Sequence, residues 1–200
     1  MLHDLGQVGT WAGVAKGAKY LLAFNEPDQP VSAGGSAISP SDAAAAYTAN
    51  MMPYHGTAQI GAPAVSNGLN GGPFGIEGTN WLAPFFAACS GCKFDFIPFH
   101  WYGDNLDGLK NQVEAIITAT QNIDGVYKDP ATGKPVLWLT EFGVNDGQGN
   151  PGNIQSFLTQ ALPYLDGESA IARYAYQFVS DGFLVSGTSI NAAGTAYISS

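Results

Sequence analysis

The sequence predicts an α/β chain built from repeated βα units around a parallel sheet. Five short apolar, β-rich runs recur along the 200 residues, and segments with the three-and-four spacing of helix faces separate them. No internal repeat or low-complexity tract divides the chain beyond the Gly-rich loops near Gly34-Gly35 and Gly71-Gly72. One globular unit over residues 1–200 is therefore expected.

The elements follow in order. Tyr20–Phe24 is the first strand-like run, and Ser39-Pro40-Ser41-Asp42 then supplies N-cap chemistry for a helix over Ala43–Met52. Gln59–Val65 is the second strand and Phe94–Tyr102 the third. Leu106, Leu109, Val113, Ile116, Ile117, Thr120 and Ile123 mark the buried face of the next helix. Val136–Thr140 is the fourth strand; Ile154, Phe157, Leu158, Ala161, Leu162 and Leu165 mark another helix, and Arg173–Val179 is the fifth strand. Trp11 and Trp81 open helix-like stretches and are expected in the core.

Five units fall short of the eight that close a (β/α)8 TIM barrel, which usually needs roughly 250 residues. The expectation is a barrel incomplete at its N-terminus, with Met1-Leu2 ending the third strand and the five runs serving as strands four to eight.

Composition excludes several classes of partner. Seven Lys plus Arg stand against 16 Asp plus Glu, for a formal net charge of −9 with no basic cluster, so neither nucleic acid nor an anionic membrane surface is expected. No stretch approaches about 18 uninterrupted apolar residues, so no membrane insertion is expected, and no leader-type segment opens the chain. Charged residues make up 12%, about half the roughly 25% usual in soluble domains, a balance suited to a secreted protein handling neutral ligands. Cys89 and Cys92 lack the further ligands of a structural zinc site and close a helix rather than open one, leaving a local disulfide or two inert thiols.

Glycoside cleavage needs one carboxylic acid to protonate the leaving oxygen and one carboxylate at the sugar carbon. Of five Glu, Glu77 lies in a Gly-rich loop, Glu114 in a helix and Glu168 in a turn. Glu26 and Glu141 remain, and both end strands, in Leu21-Leu22-Ala23-Phe24-Asn25-Glu26-Pro27-Asp28 and Leu137-Trp138-Leu139-Thr140-Glu141-Phe142-Gly143. In a βα barrel those positions face the active-site mouth. Strand parity groups His100 with Tyr102 and sets Trp101 opposite; it also turns Trp138 away from Glu141 and Asn25 away from Glu26, unless the strand end twists or bulges. Asp28, Asp95 and Asp104 are read as capping groups, and no metal or cofactor is expected.

Phe24-Asn25-Glu26-Pro27-Asp28, Phe94 to Gly103 (FDFIPFHWYG) and Trp138-Leu139-Thr140-Glu141-Phe142-Gly143 together resemble the catalytic core of glycoside hydrolase family 128. The resemblance extends to Gly61-Ala62-Pro63-Ala64-Val65-Ser66 and to Asn191 through Tyr197. It implies a barrel of the large Asn-Glu clan and a retaining endo-β-1,3-glucanase. Carried over by position, Glu26 becomes the general acid/base, protonated at the start, and Glu141 the ionised nucleophile. Asn25 becomes the residue that bonds the sugar 2-hydroxyl. His100, Trp101, Tyr102 and Tyr176 complete the expected substrate-binding set, with Trp101 as the best stacking platform; Tyr176 stands where many relatives carry Trp, a departure that weakens stacking there. The implied partner is a fungal-type β-glucan met by an extracellular or cell-wall monomer.

Two competing readings share this scaffold: a non-catalytic glucan-binding wall protein, and a truncated fragment that is inactive because its open sheet edges invite aggregation. The paired Glu26 and Glu141 favour the enzyme, since a binding module has no need of both.

Overall fold

The computed structural model describes residues 1–199. Five strands run parallel: β1 (Tyr20–Leu21), β2 (Gln59–Ile60), β3 (Ile97–Gly103), β4 (Leu137–Val144) and β5 (Ile171–Tyr176). Regular pairing joins β1 to β2 and β3 to β4 to β5, and isolated parallel bridges Gly61↔Phe96 and Val65↔Phe99 link the two groups. Residues 2–3 follow β1 in the same direction, with Leu2 N donating to Leu22 O at 2.9 Å and Asn25 N to His3 O at 3.1 Å. A short antiparallel hairpin, β6 (Val185–Ser186) and β7 (Ser189–Ile190), follows β5.

Helices α1 (Val8–Ala15), α2 (Pro40–Asn50), α3 (Gly78–Ala88), α4 (Leu106–Thr120), α5 (Pro151–Gly167) and α6 (Ala192–Ile198) alternate with the strands. Local chemistry sets their starts. The Ser39 hydroxyl accepts from Asp42 N to open α2, and the Asn105 side chain accepts from Gly108 N to open α4, satisfying amides that a helix start leaves unpaired. Their apolar faces bury Leu109, Val113 and Ile116 of α4 and Ile154, Leu158 and Ala161 of α5. Trp11 and Trp81 are buried, as their helical settings predict. Cys89 and Cys92 form a disulfide at the end of α3.

One irregularity redistributes the central side chains. β4 pairs Leu139 with Phe99 and then Glu141 with His100, so Thr140 is an extra residue opposite no partner, a β-bulge. Alternation restarts after it. Trp138, expected on the helix side, therefore shares the inner face with Glu141. It stacks on Phe96 with centroids 3.8 Å apart and lies under the Arg173 guanidinium at 4.5 Å, and it borders an inner cavity together with His100 and Glu141. Among the described residues no helix is long and apolar enough to cross a membrane.

Candidate active site

The site forms where β3 and β4 end and where the chain after β1 breaks at Pro27. Glu26 occupies the left-handed region with φ 36°, a conformation that non-glycine residues rarely adopt and that costs on the order of 1–3 kcal/mol. Three backbone bonds hold it there: Glu26 N donates to Ala64 O at 2.8 Å, and Glu26 O accepts from Gln29 N at 3.0 Å and Ser36 N at 3.1 Å. This turn also resolves the parity conflict over Asn25. Alternation fails at a left-handed residue, and both Asn25 and Glu26 line one cavity of about 490 Å³ with Glu141, Tyr102, Asn67 and Gln177.

Beneath that cavity the carboxylates share a buried histidine. His100 Nδ1 lies 2.9 Å from Glu26 Oε1 and 3.6 Å from Glu141 Oε2, and the His100 ring is fully buried. One donor atom from each of the three residues lies within 4.8 Å of the others, the one such cluster of acid, His and Cys groups among the described residues. Such a set could ligate a divalent ion, but the 2.9 Å separation of Nδ1 and Oε1 is that of a direct hydrogen bond, which already uses those atoms. Among the described residues His100 Nε2 has no partner.

Tyr102 donates its hydroxyl to Glu141 Oε2 at 2.8 Å, and Gln177 Oε1 also contacts that hydroxyl. Burial first, then the Glu141 charge and this hydrogen bond, push the phenol far above its ordinary range. Tyr102 is therefore a permanent donor. The Asn25 amide donates to Gly34 O at 3.2 Å, which fixes its side chain against the opposite loop.

A buried carboxylate braces the loops beneath. Asp28 Oδ2 accepts from the Ser66 hydroxyl at 2.7 Å, Ser66 N at 3.1 Å and Gly78 N at 2.8 Å, tying the turn after Glu26 to the loop after β2 and the start of α3. Gly78 sits at φ 54° with no room for a side chain against the Gly68 carbonyl, so glycine is required there. Burial raises the Asp28 carboxyl above its usual range, and the bonds from Gly78 and Ser66 oppose that shift.

Of the residues expected at the site, Asn25, Glu26, His100, Tyr102 and Glu141 come together and two do not. Trp101 is 3% exposed and stacks on Phe157 of α5 at 5.4 Å, so the helix layer covers the ring face that a sugar would need. Tyr176 is 6% exposed, packs edge-on against Phe142 and accepts at its hydroxyl from Val144 N at 3.4 Å, also on the helix side. Alternation in β5 puts Tyr174 and Tyr176 on that side and the next residue, Gln177, in the cavity. Gln177, Asn67, Ser66 and Gln29 were not anticipated; only the parity of β5 carried a signal, for Gln177.

Parallel strands alternating with helices, with two carboxylates, an imidazole and a phenol gathered at strand ends, are the arrangement of the glycoside hydrolase fold class. Residues 1–197 match the family described as "Glycosyl hydrolase catalytic core", and the chain belongs to it. Its solved relatives are members of glycoside hydrolase family 128. The chain is similar to a curdlan-specific exo-β-1,3-glucanase of subgroup III from Blastomyces gilchristii, at 38% identity and TM-score 0.79 over 98% of this chain and 79% of that one. It is similar to an endo-β-1,3-glucanase of subgroup II from Sorangium cellulosum, at 29% identity and TM-score 0.77 over 100% and 78%. Alkali-sensitive linkage protein 1 of Schizosaccharomyces pombe is 32% identical over 181 residues, which are 87% of this chain and 29% of that protein. The chain thus spans under a third of the length of that curated relative.

Proposed function

We propose that residues 1–200 form a single catalytic domain of a retaining endo-β-1,3-glucanase, with Glu26 as general acid/base and Glu141 as nucleophile. In this reading the parallel strands belong to a (β/α)8 barrel and the cavity is its mouth. The observation that carries it is the proximity of Glu26 and Glu141. One carboxyl oxygen of each lies within 4.8 Å of the other, a closeness that supports a retaining pair, whose carboxyl groups stand about 5 to 5.5 Å apart, over an inverting pair at about 6.5 to 9.5 Å.

The chemistry follows from the bonds. His100, donating from Nδ1, occupies Glu26 Oε1, so the proton of the acid rides on Oε2 and goes to the glycosidic oxygen. Tyr102 holds Glu141 Oε2, which leaves Oε1 to attack the anomeric carbon and form a glycosyl-enzyme. Glu26, now a carboxylate, takes a proton from water as that water releases the sugar. Asn25, tethered through its amide hydrogen, offers Oδ1 to the sugar 2-hydroxyl. The β-1,3-glucan substrate is supported by the activities of the Blastomyces and Sorangium relatives. An extracellular or cell-wall setting is supported by the Cys89–Cys92 disulfide, which persists in oxidising compartments.

Laminarin hydrolysis tests the reading. Reducing ends are expected as a ladder of oligosaccharides, with retained anomeric configuration by proton NMR, and Glu141→Gln is expected to lose about 10⁴-fold or more in kcat. Glucose as the sole product would replace endo with exo action. Cleavage of β-1,4-glucan or β-mannan alone would overturn the substrate, and oligosaccharide binding without turnover would favour the wall-binding reading.

A further inference from the structure

The ladder between the β2 run and β3 is built of backbone until it reaches the site, where a side chain takes over. Ala62 N donates to Phe96 O at 3.1 Å and His100 N to Val65 O at 2.9 Å. The next rung falls at Tyr102, but the neighbouring chain has already turned away, because Ser66 is drawn to Asp28. The side-chain amide of Asn67 fills the rung: Tyr102 N donates to Asn67 Oδ1 at 3.0 Å and Asn67 Nδ2 donates to Tyr102 O at 3.0 Å.

We propose that Asn67 is a positioning residue whose side chain serves as a surrogate peptide group, pinning the end of β3 so that the Tyr102 hydroxyl stays on Glu141. The inference rests on the reading of Glu141 as nucleophile. Tyr102 needs such a pin. On its other side β3 faces Gly143, where a Cβ would stand 3.2 Å from Tyr102 Cε1, so the ring lies over a residue with no side chain to hold it. The hydroxyl in turn must meet both Glu141 Oε2 and Gln177. A plain backbone rung at residue 67 would carry the chain straight on along β3. The amide completes the ladder while the backbone leaves for the Gly68 to Gly72 loop.

Asn67 also borders the cavity, so direct sugar binding is the competing role. The two roles separate kinetically. Positioning predicts that Asn67→Ala lowers kcat on laminari-oligosaccharides about tenfold to hundredfold with KM within about twofold, because a displacement near 1 Å at the reacting groups costs on that order. Sugar binding predicts a raised KM at constant kcat. Asn67→Asp, which keeps the acceptor for Tyr102 N and loses the donor, should fall between wild type and Asn67→Ala. In a Tyr102→Phe background Asn67→Ala should cost less than about threefold further, since its effect runs through the missing hydroxyl. A crystal structure of Asn67→Ala gives a readout free of turnover, with the Tyr102 hydroxyl expected off Glu141. Additive losses, or a hydroxyl still bonded to Glu141 in that structure, overturn the proposal; a wild-type chain with no turnover overturns the enzymatic reading instead.

Discussion

His100 presents Nδ1 to Glu26 Oε1 at 2.9 Å from a ring that solvent does not reach. With Glu26 proposed as the general acid and Nδ1 as the donor, the buried imidazole decides which oxygen carries the proton, so His100 is expected to govern the direction in which Glu26 protonates a leaving group. His100→Phe keeps most of the ring volume and removes that donor. Leaving groups that need protonation should then slow about 10²-fold, in line with the usual worth of general acid catalysis, while activated dinitrophenyl glycosides should change less than about threefold. Equal losses on both substrate types would refute the assignment. Among the described residues Nε2 has no partner, so replacing the imidazole forfeits only the Nδ1 bond to Glu26 and the melting temperature should hold within a few degrees.

Tyr102→Phe removes the hydroxyl from Glu141 Oε2 and leaves the ring in place. A hydrogen bond to a charged group contributes about 1.5 to 3 kcal/mol, so kcat should fall about tenfold to hundredfold. The pH profile offers a second check. Burial, the Glu141 charge and the hydrogen bond all raise the phenol, so Tyr102 stays protonated through the alkaline limb of activity. The alkaline limb of kcat/KM should therefore persist unchanged in Tyr102→Phe; its disappearance would mean that Tyr102 titrates during turnover. The same upward shift makes the Tyr102 contribution to stability complete below the ordinary tyrosine value near 10 and lost as pH rises beyond it.

Much of this site is legible from the chain because its chemistry sits at strand ends, where an apolar run stops on a polar residue. Glu26 and Glu141 stand out that way, and alternation alone pairs His100 with Tyr102. Alternation fails where the backbone leaves ideal geometry. The extra residue Thr140 rotates Trp138 to the inner face, and the left-handed Glu26 brings Asn25 beside it. Neither a bulge nor a positive φ at a non-glycine residue has a compositional mark. Trp101 and Tyr176 show the opposite error: parity already turned Trp101 away from His100 and separates Tyr176 from Gln177, and the aromatic character of both residues outweighed it. Asn67 joins the site through contacts 35 residues away in sequence, which periodicity cannot reveal.

Asp28→Asn should loosen the loops around the cavity. Three bonds from Ser66 and Gly78 fall on Oδ2, where an amide oxygen would keep them, but the NH2 that then replaces Oδ1 faces the Ser66 N–H, which lies 3.3 Å from Oδ1. A loss of about 1 to 3 kcal/mol is expected, read as a lower melting temperature. Its pH dependence has a defined sign. Burial raises the folded carboxyl above 3.8, so the folded state holds its proton more tightly than the unfolded one, and this contribution to stability falls as pH rises through the window above 3.8. The stability gap between wild type and Asp28→Asn should therefore narrow as pH is raised from about 4 toward neutrality. A gap that widens would place the Asp28 shift in the opposite direction.

Adjacent residues at the end of β5 offer the sharpest test of where the cavity lies. Tyr176 points into the helix layer, against Phe142 and Tyr197, and Gln177 points into the cavity, against the Tyr102 hydroxyl. Tyr176→Phe removes only a long bond to Val144 N and should cost at most about 1 kcal/mol of stability with kcat unchanged. Gln177→Ala removes a partner from the Tyr102 hydroxyl, leaves most core packing intact, and should lower kcat about fivefold to tenfold at nearly constant melting temperature, the worth of one net hydrogen bond. If Tyr176 were instead a sugar platform, Tyr176→Ala would raise KM on long laminari-oligosaccharides out of proportion to any loss of stability. Melting curves and Michaelis profiles of the three variants decide between these outcomes, because burial and catalytic contact move different parameters: a residue buried against Phe142 changes the melting temperature, and one held on Tyr102 changes kcat.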